Sequence, residues 1–121
     1  MGDHKGVMSV SREDFEVLVG EGLDTIPGEL AELMDNVVVL VEDNPPAGRP
    51  LLGLYHGVPL TDRGHYYVGA LPDRITIYRN PILRQCSTQE QVVDCVRTTV
   101  VHEVAHHFGI SDERLDELGY G

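Results

Sequence analysis

The sequence has no tryptophan, two phenylalanines and two cysteines in 121 residues, and its 9 lysines and arginines face 20 aspartates and glutamates. It also lacks any apolar run near the roughly 20 residues a membrane-spanning helix needs, so no membrane role is expected. A formal net charge of −11 at pH 7 repels phosphate backbones and argues against DNA or RNA as a partner. The plain reading of that charge is solubility; the sharper one is a field that favours cations, a metal ion among them. Met1 to Val10 carry one lysine and no apolar segment, which is unlike a secretory signal. Residues 1–10 therefore read as a flexible leader ahead of one domain over 11–121.

Scarcity of cysteine bears on compartment. If the chain between Cys86 and Cys95 were helical, their Cα atoms would stand roughly 13 Å apart, beyond the reach of about 7 Å for a disulfide. Both then read as reduced thiols in a cytoplasmic protein. Neither belongs to a Cys-x-x-Cys pair that could hold zinc.

What is present points to an α+β fold, a small mixed β-sheet packed against a long helix that carries the chemistry. Ser11 is a good N-cap with Asp14 three residues on, and Phe15, Leu18, Val19 and Leu23 follow at helical spacing. Pro27 suits the first turn of a short helix reaching Met34. The unbroken run Val37-Val38-Val39-Leu40-Val41 reads as a buried strand. Residues 51–55 form a second strand candidate, ended by Gly57 and Pro59, and Thr61-Asp62-Arg63-Gly64 is a turn. Arg74-Ile75-Thr76-Ile77-Tyr78 alternates as a half-buried strand, either an edge that accepts an extended peptide or an interior strand. Asn80-Pro81 opens a short helix over Ile82 and Leu83. Ser87-Thr88-Gln89-Glu90 reads as a capping box for the longest helix, with Val92, Val93, Val96, Val100 and Val104 as its apolar stripe. Gly109 supplies a left-handed end, and Ser111 caps a last helix through Leu118.

Late in that long helix stand His102, Glu103 and His106. Two histidines four apart share a helix face and can meet one metal ion, and neutral imidazole is an ordinary zinc ligand. Glu103 sits about 100° round the helix, beside the metal rather than on it. There it can take a proton from a water that zinc has made acidic. Gly109 follows at the x-x-Gly distance and lets the backbone reverse. Asp112 comes three residues later, where the turn can return a carboxylate to the metal. The segment reads His-Glu-x-x-His-x-x-Gly-x-x-Asp. Glu117 is the alternative third ligand.

This segment resembles the metzincin-like zincins, and the chain as a whole resembles a family of minimal bacterial zincin-like metallopeptidase domains. The likeness runs from the Ser11-Arg12-Glu13-Asp14-Phe15 start through the strand segments at residues 37–43, 52–60 and 72–79 to the tail at 100–115. The resemblance implies a compact fold with a small mixed sheet, zinc as cofactor, His102, His106 and Asp112 as ligands, and Glu103 as base. It further implies a peptide or protein substrate. Nine residues follow Asp112, so no Met-turn is expected, and the cleft should be shallow or built by N-terminal segments. That shortness motivates a second expectation, a zinc-stabilised interaction domain with little or no peptidase activity. The oligomeric state is open.

Other candidates weigh differently. His107 points about 140° from His102 around the helix and reads as a packing residue or a support for a ligand. His56 and His65 read as surface histidines, and Glu113 and Asp116 as solvated helix charges. Arg114 and Tyr120 could stabilise an oxyanion or simply form a surface pair.

Overall fold

The structure is a computed structural model, and it describes residues 9–57 and 71–120. The turn at 61–64, His65 and residues 1–8 of the expected leader lie outside the described residues. Val10 lies inside them, packed into the core.

Helix α1 spans Arg12–Asp24, and the Ser11 hydroxyl accepts the Asp14 N–H at 3.1 Å, as the sequence predicts. Its buried residues, Phe15, Leu18, Val19 and Gly22, follow helical spacing. At Gly22 an added Cβ would stand 3.0 Å from the Val93 carbonyl oxygen, so the missing side chain lets α1 pack closely on the long helix. Helix α2 covers Gly28–Leu33, with Pro27 as its N-cap rather than in its first turn.

Three strands form one mixed sheet, β1 (Val37–Glu42), β2 (Gly53–His56) and β3 (Asp73–Tyr78), in the order β1-β3-β2. Strand β1 runs parallel to β3 from Val37↔Asp73 to Glu42↔Tyr78. Strand β2 runs antiparallel to it from Gly53↔Ile77 to His56↔Arg74. This settles the two readings of β3: it is the interior strand, with Ile75 and Ile77 fully buried.

Strand β1 departs from expectation. Among the described residues it is an edge strand, and its exposure alternates, with Val38 and Leu40 40% and 39% exposed while Val41 is buried. The β-branched run reports preference for extended backbone, which says little about what covers the strand. The edge is blunted. The Arg12 guanidinium donates to the Val41 carbonyl oxygen and lies 3.5 Å from Glu16 and 3.9 Å from Asp43.

Helix α3 (Arg79–Arg84) follows β3 directly. Arg79 ties the residue after β1 to the segment before α1, its Nε on Asp43 at 2.9 Å and its Nη1 on the Val10 carbonyl at 2.6 Å. Helix α4 (Gln89–Phe108) buries Val92, Val96, Val100, Val101, Val104 and Ala105. Its cap falls one residue later than the Ser87–Glu90 box. Thr88 accepts the Gln91 N–H at 3.1 Å, and the Gln91 side chain accepts the Ser87 N–H at 2.6 Å. Helix α5 (Asp112–Glu117) is capped by Ser111, which accepts the Arg114 N–H at 3.1 Å. Between α4 and α5, Gly109 takes the left-handed conformation at φ 72°.

The cysteines are free, but not because a helix separates them. Cys86 sits just after α3 and Cys95 on α4. Burial, with the neighbouring Cys95, pushes the Cys86 thiol up to about 11.

Candidate metal centre

Helix α4 turns its valines into the core and leaves His102 and Glu103 half-buried and His106 exposed on its other side. The i, i+4 spacing brings the His102 and His106 rings to the same face, with centroids 6.4 Å apart and planes 28° from parallel. Strand β2 lies against this stretch of α4. The Tyr55 N–H donates to Glu103 Oε1 at 3.0 Å, and Gly53 permits the approach, since a Cβ there would fall 2.7 Å from Thr99 Cγ2.

Between residues 50–53 and the helix face carrying Thr99, His102, Glu103 and His106 lies an open depression of about 290 Å³. A second, of about 240 Å³, is bordered by His102, Asp112, Asp116 and Tyr120. His102 thus stands on both, with Glu103 and His106 on one and Asp112, the first residue of α5, on the other. Among the described residues no three His, Cys, Asp or Glu side chains converge on one point. A larger depression, about 510 Å³ between α1 and β1, is bordered by Arg12, Glu16 and Glu42 and holds no histidine or cysteine.

The donor chemistry fits zinc. Two imidazoles on one helix face and an aspartate beside the first of them are the nitrogen and oxygen donors zinc takes. His102 Nε2 lies 3.1 Å from the Tyr120 carbonyl oxygen. A carbonyl can only accept, so Nε2 is the donor in this contact. A ligating histidine is commonly fixed by such a bond from its other nitrogen.

The remaining candidates find other work. His107 stacks on Tyr55 with centroids 3.9 Å apart and planes 16° from parallel, and its Nε2 lies 3.8 Å from Asp73 Oδ2. Phe108 meets both rings edge-on, at 4.9 Å and 6.2 Å. Arg114 forms a surface cluster with Glu117, at 2.7 Å, and Glu29. Those two carboxylates, Glu117 first, raise its pKa. Glu117 is thereby engaged away from the histidines. Tyr120 reaches the site through its main chain, and His56 is exposed at the end of β2. Sequence reasoning passed over Tyr55 and Asp73. The signal available was the parity that sets Tyr55 on the same side of β2 as Gly53, the residue that lets α4 come close.

A family profile described as zincin-like metallopeptidase matches residues 34–121. Among solved structures, a conserved hypothetical protein from Thermus thermophilus is similar in fold. The TM-score is 0.53 at 23% identity, over 88% of this chain and 98% of the other. No curated protein matches the sequence. No helix among the described residues is long and apolar enough to cross a membrane.

Proposed function

Because the chain belongs to the zincin-like metallopeptidase family, we propose that it is a zinc-dependent peptidase, with His102, His106 and Asp112 as ligands and Glu103 as general base. The observation that carries this reading is the placement of Glu103. It borders the same depression as the two histidines, and one of its oxygens is held by a β2 amide at 3.0 Å. Zinc, when bound, supplies a polarised scissile carbonyl and an acidified water. Glu103 accepts the proton of the attacking water on the oxygen that Tyr55 does not hold, and returns it to the leaving amine. His102 and His106 hold the metal from one helix face. Asp112, which opens α5 and borders a depression with His102, would supply the third donor. Residues 50–53 form the wall against which a peptide or protein substrate lies.

A second reading, a zinc-stabilised interaction domain, draws on one specific observation: Asp112 shares a depression with His102 and not with His106. The two readings part on turnover of an unstructured protein. A peptidase carries about one zinc per chain, loses hydrolysis on chelation and regains it when zinc is restored. An interaction domain loses thermal stability on chelation and shows no hydrolysis in either state.

A further inference from the structure

We propose that Tyr55, clamped by Asp73 and His107, is a positioning residue for Glu103: it fixes one carboxylate oxygen so that the other is presented to the attacking water. The proposal rests on the reading of Glu103 as general base, and its structural half can be tested without turnover.

A glutamate side chain has three rotatable bonds, so a base that must meet a water at about 2.6–3.2 Å needs an external restraint. Here the restraint is the Tyr55 N–H on Oε1 at 3.0 Å. A main-chain amide points where its strand points, so the question becomes what fixes the end of β2. That strand has four residues, and among the described residues its strand partner is β3 alone. At the end next to Glu103, the Tyr55 hydroxyl donates to Asp73 Oδ2 at 2.7 Å, which ties β2 to the first residue of β3. Its ring lies flat on His107, centroids 3.9 Å apart.

Glu103 and His107 are four residues apart, so they occupy one face of α4, one turn from each other. That single face therefore holds Tyr55 twice, by its amide and by its ring. The geometry also explains Gly57, where an added Cβ would come within 3.0 Å of His107 Cε1. A slip of β2 by one residue would remove both contacts and turn the tyrosine to the other side of the sheet. Strand register and carboxylate orientation are set together.

The test uses Asp73→Ala, which deletes the acceptor of the Tyr55 hydroxyl, and Asp73→Asn, whose amide oxygen can still accept it. Tyr55→Phe, which keeps the stack, replaces Asp73→Ala if that variant does not fold. The first readout is hydrogen exchange of the residue-55 amide by NMR in the metal-free protein, with Glu103→Ala marking the unbonded limit. In Asp73→Ala exchange should be about tenfold faster than in the parent, the scale of one lost hydrogen bond. In Asp73→Asn it should return close to the parent rate. The second readout is kinetics of the zinc-loaded protein. In Asp73→Ala kcat should fall about tenfold, with KM and zinc content unchanged, because no proposed ligand and no residue of the 50–53 wall is substituted while the base is loosened. An amide indifferent to Asp73→Ala overturns the proposal, as does an Asn variant as impaired as the Ala variant or a loss carried by KM. If the parent protein hydrolyses nothing, the peptidase reading fails, and the amide result decides the clamp by itself.

Discussion

Gly53→Ala probes the packing that brings β2 to the candidate site. An alanine Cβ would stand 2.7 Å from Thr99 Cγ2, with Thr76 O at 3.2 Å and Ile77 Cδ1 at 3.4 Å on other sides. Carbon pairs settle at about 3.5–4.0 Å, so β2 and α4 must part by roughly 1 Å or Thr99 must turn. Thr99 is β-branched and helical, which restricts its rotamers, and the Thr76 and Ile77 contacts oppose retreat the other way. Overpacking of this kind costs about 1–3 kcal/mol. Alanine recovers about 0.5–1 kcal/mol of that by restricting the unfolded chain. At the middle of both ranges the net loss is about 1 kcal/mol, a fall in Tm of about 4 °C for a domain of this size. Thr99→Ser removes the offending methyl and keeps the hydroxyl. The Gly53→Ala/Thr99→Ser pair should therefore regain at least half the loss, a coupling that a double-mutant cycle by thermal denaturation reads directly. An alanine variant as stable as the parent, or a loss that Thr99→Ser does not touch, would refute the close approach of β2 to α4.

Three other outcomes follow. In calorimetric zinc titrations Asp112→Ala should weaken binding strongly and Glu117→Ala should not, because Glu117 is held by Arg114 at 2.7 Å; the reverse order would make Glu117 the ligand. Thr88→Ala should cost about 1 kcal/mol in urea unfolding and Ser87→Ala much less, since Thr88 makes the side-chain cap of α4; equal losses would return the cap to Ser87. The Cys86 thiol rises from the usual 9.0 to about 11, with burial as the first cause. The fold therefore favours its protonated form, and the native state binds more protons than the unfolded chain between those values. That contribution is fully present below pH 9 and is lost as pH rises through 11, on the order of 2 kcal/mol. Unfolding free energies of parent and Cys86→Ala should converge over that window, and parallel pH profiles would contradict the assignment.

How much of this could be read in the sequence follows the range of the physics involved. Ser11, Gly109 and Ser111 act within a few residues of themselves, and each takes the role its side chain suggests. That His102 and His106 share a helix face could be read in the sequence because helical periodicity alone relates them. The cap of α4 was ambiguous because Ser87…Glu90 and Thr88…Gln91 both satisfy the local pattern, and only packing selects between them. Strand β1 misled for another reason: its residues suit extended backbone in either setting, and its edge position depends on strands distant in the chain. The helix assumed between Cys86 and Cys95 does not hold, because that span contains the start of α4, although both thiols are free as expected. Tyr55 and Asp73 were invisible because what matters about them is a contact across 48 residues, Tyr55 to Glu103. Asp112 lies between these cases. Its position after Gly109 could be read locally, whereas its distance from the histidines depends on how α5 packs through Leu115.

The most direct test of the proposed function pairs zinc content with turnover on the same preparations of Glu103→Gln and His106→Ala. Glu103→Gln keeps the shape and removes the proton-accepting charge. It should retain zinc at the parent level while hydrolysis of an unstructured protein falls about 10²–10⁴-fold. His106→Ala should lose zinc and hydrolysis together, and with them the thermal stability that zinc confers on the folded site. If Glu103→Gln sheds zinc as His106→Ala does, Glu103 is a ligand and the proposed division of roles is wrong. If both variants hydrolyse at the parent's rate, the activity does not belong to this site.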